Sequence, residues 1–518
     1  MKYCGAKTGD ERWRFNALCA PTGLLRHTTT AGAYLYEKQS EPELGQFDVP
    51  IHQLPDDVLC YIFTLRCREA VCLPFDHSNI APQITISYVC SVWRHVILSM
   101  SSLWNNFEVF MDHAKDGDML MEIVHDWLFR ARSLPCSLAL IFKADDSTLG
   151  ALGSESWYRS IVKRLISQFR FRKLSTPWSS NHWVQFLQLP VETLSCIEDL
   201  HICCINPPLL CYNGSSPSQV PLRLDSFKKL TKLTSLRLDQ SLRRAFRDVV
   251  YSEDSVFVHV PWHQIRHIHL SIPTSVLLCF TILHGSSMVL ETCSFAVAGH
   301  YILWAEIRSL YAEPLYCPQL RTLELNAHLL PGQLNSLKII DPILLWIRMP
   351  NLKAPTVRSS GWNSPSQTVA FFSSLVGMQG VSDMQLKELT LYVRYNAVVN
   401  AGGLIFTTFP SLKRIELSGN AILGNDTINQ LGSGLIAPCL EELIMPCNSI
   451  DLGELLRMIK VRSSLGKRNV WQDNEPTPFR YVKLYRDSEE VPGEYKESIE
   501  EINRCDVQLI VEPWNRNF

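Results

Sequence analysis

The sequence predicts an α/β protein that consists of a small N-terminal helical module followed by an irregular solenoid. Three observations lead to this fold class. Short apolar segments cluster between residues 50 and 110; the pattern apolar-x-x-apolar-x-apolar then returns ten times; and successive copies begin 25 to 39 residues apart. Repeats of this kind stack into a curved parallel sheet with helices or loops on the convex side.

The chain begins with a segment, residues 1–46, that lacks sustained periodicity, and we expect a flexible arm there. The module follows at residues 48–110. Its first helix is expected to start near Pro55, because proline is tolerated in the first helical turn and Asp56 and Asp57 face the positive end of the helix dipole. Val58, Leu59, Ile62 and Phe63 are expected to form one apolar stripe.

The second and third segments of the module are also apolar. Val89, Trp93, Val96 and Ile97 recur at helical spacing, and Leu103 and Trp104 add large apolar surface just beyond them. Three short helices of this composition need a partner, and we expect Val58, Ile62, Phe63, Trp93 and Trp104 to be exposed in the isolated protein.

The order Leu-Pro-x-x-x-Leu-x-x-Ile-Phe, then Val-Cys-x-x-Trp-Arg, then Leu-Trp resembles the F-box, in the variant with a long gap between helices found in mushroom-forming fungi. The resemblance covers residues 48–107. It implies docking onto a Skp-type adaptor, and through it onto a cullin-RING ubiquitin ligase. The positions it implies for docking are Pro50, Leu54, Pro55, Val58, Leu59, Ile62, Phe63, Val89, Cys90, Trp93, Leu103 and Trp104. These segments could instead form a three-helix cap on a larger core.

A linker helix is expected over residues 111–134, and Pro135 to Phe142 is expected to form the first strand of a solenoid that extends to residue 486. The repeat copies begin at Ile197, Leu233, Ile265, Leu290, Leu320, Leu352, Leu386, Leu412, Leu440 and Phe479. Two copies resemble leucine-rich repeats further, because Asn420 and Asn448 follow the strand where an asparagine amide can satisfy buried peptide groups. Residues 487–518 are expected to form a C-terminal cap or tail.

Composition excludes several function classes. Lys plus Arg is 49 and Asp plus Glu is 51, so the net charge of −2 predicts neither nucleic-acid nor membrane-surface binding. The 17 cysteines are scattered without Cys-x-x-Cys spacing, which is typical of reduced thiols in the cytoplasm or nucleus. No apolar run approaches the roughly 20 residues that span a bilayer.

Catalytic motifs are also missing from the sequence, so we expect no enzyme, no cofactor and no metal site. The best metal candidates, His263, His267 and His269, lie in a strand-like pattern that points the last two outward. Cys203 and Cys204 are interpreted as small apolar residues.

The same alternation predicts a partner surface, since residues between the buried positions face away from the core. Its main candidates are Arg237, His267, His269, Glu324, Glu388, Tyr392, Arg414, Glu416 and Lys483. Mixed charges with aromatic side chains suit a protein target. We therefore expect a substrate-recognition adaptor of a ubiquitin ligase. A repeat scaffold that recruits no ligase is the first alternative, and an enzyme recognisable only by a deep polar pocket is the second.

Overall fold

The computed structural model describes most of the chain after residue 53. The described residues are 54–75, 80–111, 117–142, 165–166, 168–179, 186, 189–206, 224–240, 260–298, 304–327, 337–359, 373–378, 385–393, 398–399, 402–419, 422–447, 451–465, 476–486 and 491–513. The expected N-terminal arm, Pro50, Asn420 and Asn448 therefore lie outside them. The contacts divide the chain into two compact units, Met1–Ile161 and Val162–Phe518.

The first unit mixes helices with a short parallel sheet. Its described elements are α1 (Asp56–Arg66), β1 (Val71–Leu73), α2 (Pro82–Ser87), α3 (Ser91–Ser99), a 3₁₀ turn (Ser101–Trp104), β2 (Asn106–Met111), α4 (Gly117–Ala131) and β3 (Cys136–Phe142). Strand β2 lies between β1 and β3, and both pairings are parallel.

The strands of this unit correct the prediction of a purely helical module. Cys136–Phe142 does form a strand, but Val71–Leu73 and Asn106–Met111 precede it in the same sheet. The reason is that Phe107 and Val109 alternate with half-buried residues, which is the burial pattern of a strand. Helix α4 lies within residues 111–134, where a linker helix was expected, and its Trp127 and Leu128 are buried.

The second unit contains a large parallel sheet. Twelve of its described strands pair in chain order: β4 (Phe171–Ser179), β5 (Asp199–Asn206), β6 (Ser235–Gln240), β7 (His267–Thr274), β8 (Thr292–Val297), β10 (Thr322–Ala327), β12 (Ala354–Ser359), β13 (Glu388–Val393), β15 (Arg414–Gly419), β17 (Glu442–Pro446), β18 (Tyr481–Arg486) and β19 (Gln508–Pro513). Two separate pairs also form, one from β9 (Leu315–Tyr316) with β11 (Ile347–Arg348) and one from β14 (Val398–Val399) with β16 (Ile422–Leu423).

Each of the ten repeat copies forms a strand of this sheet. In every copy the strand begins two residues after the first apolar position, so the copy at Ile197 yields β5 from Asp199 and the copy at Phe479 yields β18 from Tyr481. That first apolar side chain is buried in all ten copies. The degraded copy at Leu352 also pairs, because Pro355 costs one backbone donor while its neighbours still align with β10. The fold class is thus confirmed as α/β with a large parallel sheet.

Helices alternate with the strands. The α-helices of this unit among the described residues are α5 (Val191–Leu194), α6 (Val276–Ser286), α7 (Trp304–Leu310), α8 (Leu337–Trp346), α9 (Gly402–Thr408), α10 (Asn425–Ser433), α11 (Leu452–Leu465) and α12 (Gly493–Asn503). Helix α6 starts where the Ser275 side chain accepts a hydrogen bond from the Leu278 amide at 3.1 Å. Helix α11 lies directly before the last repeat copy.

Helix α11 carries a fully buried charge. The guanidinium of Arg462 donates hydrogen bonds to the backbone carbonyls of Thr477, Leu431 and Ala437 at 2.8 Å, and to those of Pro438 at 3.0 Å and Leu440 at 3.1 Å. Burial lowers the pKa of Arg462 to about 10, so the side chain stays protonated at neutral pH. It joins two consecutive repeats through five backbone carbonyls, and those of Thr477 and Leu440 accept no other hydrogen bond among the described backbone contacts.

No helix in the described part of the chain is long and apolar enough to cross a membrane.

Candidate interaction surfaces

Helix α1 has two apolar sides that face different environments. Leu59 and Phe63 point inward and are buried, whereas Val58, Tyr61, Ile62 and Leu65 are exposed. The four exposed residues follow the spacing i, i+3, i+4, i+7, so they form one stripe along the helix. The single stripe expected from the sequence is therefore wrong: consecutive helical residues are about 100° apart, and Val58 and Leu59 fall on different sides.

The segment from Ile80 to Leu98 adds further exposed apolar side chains. Together with the α1 stripe they make up the exposed apolar set, whose members are between 36% and 66% exposed: Val58, Tyr61, Ile62, Leu65, Ile80, Tyr88, Val89, Val92 and Leu98. Isolated exposed apolar residues are ordinary, but this many within one small unit is typical of a surface that another molecule covers.

Two of the predicted docking residues are packed inside the unit instead. Phe63 and Trp104 are each only 1% exposed, which contradicts their expected exposure. Phe63 meets the Trp93 ring edge-on at 5.1 Å between centroids, and Trp104 meets Trp127 at 4.7 Å. The Trp104 indole donates to the Ile97 carbonyl at 3.0 Å. Helix α4 supplies the cover that the short apolar segments lack by themselves.

The remaining docking candidates divide in the same way. Leu59 and Leu103 are buried, Leu54 and Cys90 are half-buried, and Pro55 is exposed. Cys90 caps α3, since its sulfur accepts a hydrogen bond from the Trp93 amide at 3.5 Å. The buried candidates therefore pack within the unit, and only the exposed ones are accessible at its surface.

Trp93 lies between these two groups. Its side chain is half-buried, and its indole N–H is buried without a hydrogen-bond partner among the described residues. A buried donor without an acceptor is costly, by about 1–3 kcal/mol.

A polar face occupies the side of the second sheet opposite its buried leucines. The strand register places one residue from each strand in a single row: Ser175, His201, Arg237, His269, Ser294, Glu324, Thr356, Thr390, Glu416, Ile444, Lys483 and Ile510. The structure thus brings together five of the predicted surface residues, Arg237, His269, Glu324, Glu416 and Lys483. The other four occupy neighbouring rows, with His267 and Arg414 nearer the strand starts.

Asp239 is the centre of the first cluster on this face. Its carboxylate accepts hydrogen bonds from His201 Nε2 at 2.8 Å, Arg237 Nε at 2.6 Å and Ser271 Oγ at 3.2 Å, and His269 Nε2 lies 3.2 Å away. Burial by itself would raise the pKa of Asp239, but the hydrogen bonds from the two histidines and Arg237 outweigh it and hold the pKa far below its usual range. Asp239 therefore remains ionised and organises four side chains around it.

Ser175, His201 and Asp239 also form a hydrogen-bonded chain. His201 Nδ1 lies 2.8 Å from Ser175 Oγ, and its Nε2 lies 2.8 Å from Asp239. Ser, His and Asp also form the catalytic triads of hydrolases, but in a triad the carboxylate orients a single histidine, which acts as the base. Here Arg237 and His269 contact the same carboxylate, so the chain is one branch of a larger polar network.

A second cluster links four strands through Arg358 and Tyr392. Arg358 lies 3.4 Å from the Glu324 carboxylate and its guanidinium stacks over the Tyr392 ring at 4.6 Å. The Tyr392 hydroxyl donates to Glu416 at 3.1 Å. Arg414 then contacts both Glu416 and Glu442 at 3.2 Å. Burial and the Glu416 carboxylate raise the pKa of Tyr392, which keeps its hydroxyl protonated.

The last two strands carry a third cluster. Lys483 Nζ lies 2.8 Å from the Glu512 carboxylate and 5.1 Å from the centre of the Tyr485 ring. The hydrogen bond to Glu512 raises the pKa of Lys483. Opposite charges therefore alternate along the face, and these side chains hold one another in place through their ion pairs.

Sequence reasoning missed several members of these clusters. His201 lies in the first clear repeat copy at the same position as Arg237 in the next, so the alternation could have identified it. Four other members can be assigned to the clusters only when the register between strands is known: Arg358, Glu442, Tyr485 and Glu512.

The structure also bears on the predictions about cysteines and metal ligands. The cysteine side chains that the structure describes are free thiols, and burial raises the pKa of Cys136 to about 11. Within the described ranges, no group of three or more His, Cys, Asp or Glu side chains is arranged to hold a metal ion.

Comparison with protein-family models and with curated proteins finds no match for this chain.

Proposed function

We propose that this protein is a substrate-recognition adaptor of a Skp/cullin/F-box ubiquitin ligase. In this proposal the N-terminal unit is an F-box-like module that docks on a Skp-type adaptor, and the second unit is an irregular leucine-rich-repeat solenoid whose polar face binds a protein target. The proposal places the protein in the cytoplasm or nucleus, in agreement with its free thiols.

The observation that carries the proposal is the stripe of Val58, Tyr61, Ile62 and Leu65 on α1. The helix already has a buried side, which Leu59 and Phe63 provide, so the stripe is not needed to hold this unit together. Apolar side chains cost solubility when they are exposed, and a partner that covers them gains about 25 cal/mol for each Å² removed from water.

The polar face supports the other half of the proposal. Its ion pairs and Tyr392 offer the mixture of charge and aromatic surface that protein interfaces use. Binding a target there and an adaptor at the other unit catalyses nothing by itself. It raises the effective concentration of target lysines near a ubiquitin-charged enzyme.

Co-purification of the full chain with a Skp-type adaptor and a cullin tests the proposal. We expect the wild-type chain to capture both, and Ile62→Glu combined with Val92→Glu to lose the adaptor with a change of about 2 kcal/mol or more, about thirtyfold in affinity. Both positions are exposed, so the variant retains its fold by circular dichroism. Leu435→Glu is the control, because Leu435 is 79% exposed in the second unit.

The repeat scaffold without ligase recruitment remains the second candidate. It makes a different prediction in the same experiment: the chain would capture the adaptor without cullin, or neither protein. Capture that the Ile62 and Val92 substitutions leave unchanged would contradict the docking surface proposed above.

A further inference from the structure

Charged residues line the edge of the second sheet where the strands begin. The residue directly before each strand donates its amide to the carbonyl of the equivalent residue in the preceding repeat. Thus Lys353 N bonds to Arg321 O at 2.9 Å, Lys387 N to Lys353 O at 3.1 Å, and Lys413 N to Lys387 O at 2.7 Å. These residues therefore stack at the strand spacing of about 4.8 Å.

Five charged members of this row are neutralised by a neighbour in the row. Arg266 lies 3.6 Å from Glu291, and the Glu441 carboxylate lies 3.2 Å from Lys413 and 3.3 Å from Arg480. Each of these ion pairs joins oppositely charged residues of adjacent repeats.

Three consecutive members differ. Arg321, Lys353 and Lys387 are exposed and have no ion-pair partner among the described residues. The nearby carboxylate of Glu388 lies in register with Arg414 and contributes to the raised pKa of that residue. Like charges at this spacing repel each other, so a bound anion would relieve an unfavourable arrangement.

We infer that Arg321, Lys353 and Lys387, the basic ladder, bind a short acidic segment of a protein. This inference rests on the proposed function, because it takes the acidic segment to be part of the protein target that the adaptor recognises. Two strand spacings, about 10 Å, separate the first and last cation. That length matches a few consecutive acidic residues.

The surroundings of the ladder favour a peptide over a nucleic acid. Paired carboxylates flank the ladder: Glu291 lies next to Arg321, and Glu441 lies beyond Lys413, which is the neighbour of Lys387. A polyanion that continued past the ladder would meet these carboxylates. The whole chain has a net charge of −2, which offers no long-range attraction for a polynucleotide.

Fluorescence anisotropy on the purified full-length protein tests the inference. The probe is a short labelled peptide with consecutive glutamates between glycine-serine ends, and its glutamine version is the uncharged comparison. We expect the acidic peptide to bind more tightly than the glutamine peptide, and its affinity to fall as salt is added. Lys353→Glu combined with Lys387→Glu should weaken binding by at least about tenfold.

Lys232→Glu combined with Lys496→Glu is the matched control, since both residues are exposed, lie outside the ladder and change the charge equally. Circular dichroism of both variants verifies folding. The inference is overturned if the wild type does not bind the acidic peptide, if both variants bind it equally, or if an oligouridylate binds the ladder more tightly. Adaptor capture, measured on the same preparation, reports on the proposed function separately.

Discussion

The buried guanidinium of Arg462 allows a prediction whose size follows from its contacts. Arg462→Met keeps most of the volume of the side chain but removes every donor. Five backbone carbonyls lose a hydrogen bond. Three of them, those of Leu431, Ala437 and Pro438, also accept a bond from a backbone amide. Thr477 and Leu440 have no second donor among the described backbone contacts.

The expected loss of stability follows from these two carbonyls. A buried acceptor left without a donor costs about 1–3 kcal/mol, so the pair costs about 2–6 kcal/mol. Removing a buried charge regains part of its desolvation penalty. We therefore expect Arg462→Met to destabilise its repeats by about 3–4 kcal/mol. Arg462→Lys, which keeps the charge and some donors, should lose less.

Hydrogen exchange followed by mass spectrometry measures this effect locally. Each repeat contacts only its neighbours. Local unfolding caused by the substitution should therefore be confined to the region around β17 and β18. A loss of about 3–4 kcal/mol corresponds to protection that falls by about 100- to 1000-fold there, while β5 to β7 keep theirs. Arg457→Met is the control, because Arg457 is exposed on the same helix and contacts Glu454 and Asn429 at the surface.

Two results would refute this reasoning. If hydrogen-exchange protection of β17 and β18 in Arg462→Met stayed within threefold of the wild type, water or local relaxation would be satisfying the carbonyls of Thr477 and Leu440. Equal loss of protection in all repeats would mean that the sheet unfolds as one cooperative body.

Three further predictions concern other contacts. Asp239→Asn should lower stability at pH 7 by about 1.5–3 kcal/mol, because the hydrogen bonds that Asp239 accepts from His201, His269 and Arg237 involve a charged group. Since its folded pKa is depressed, this stabilisation is present above the unfolded pKa of about 3.9 and is lost as pH falls below it, so denaturation of the variant should depend less on acid pH. Trp104→Ala should cost about 3–5 kcal/mol in thermal or denaturant unfolding of the first unit, because it empties a fully buried site. Gly434→Ala should cost about 2 kcal/mol or more in thermal or denaturant unfolding of the second unit, since Gly434 has φ of 73° and an added Cβ would collide with Pro476.

Surface variants provide the controls for these predictions. Asp199→Asn removes a more exposed carboxylate that lies 3.8 Å from Lys173, and should cost less than about 1 kcal/mol. Phe129→Ala removes a largely exposed ring from α4 and should change stability by less than about 0.5 kcal/mol. If either control lost as much as its buried counterpart, burial would not be the cause of the effect.

The strands and much of the polar face could be predicted because their signal is local. In a strand, burial alternates every second residue, so Leu236 and Leu238 identify the outward position of Arg237 without knowledge of any neighbour. The same rule identified His269, Glu324 and Glu416. It also holds in the degraded copy, where Val357 is buried although Pro355 interrupts the pattern.

The apolar side chains of the N-terminal unit could not be assigned from the sequence. Their type shows that they avoid water, but not whether this chain or another one covers them. Phe63 is covered because α3 places Trp93 against it, and Trp104 because α4 places Trp127 against it. Ile62 lies on the opposite side of α1 and remains exposed.

The sequence alone determined where the ten repeat strands start and that the first apolar residue of each copy is buried, since both follow from apolar positions only a few residues apart. The tertiary structure decided which charges meet. Asp239 contacts His201 and His269 from separate repeats, and Arg321, Lys353 and Lys387 lack such partners. The physical reason is that an ion pair depends on distances of a few Å between segments about 30 residues apart, and only the register of the sheet sets those distances.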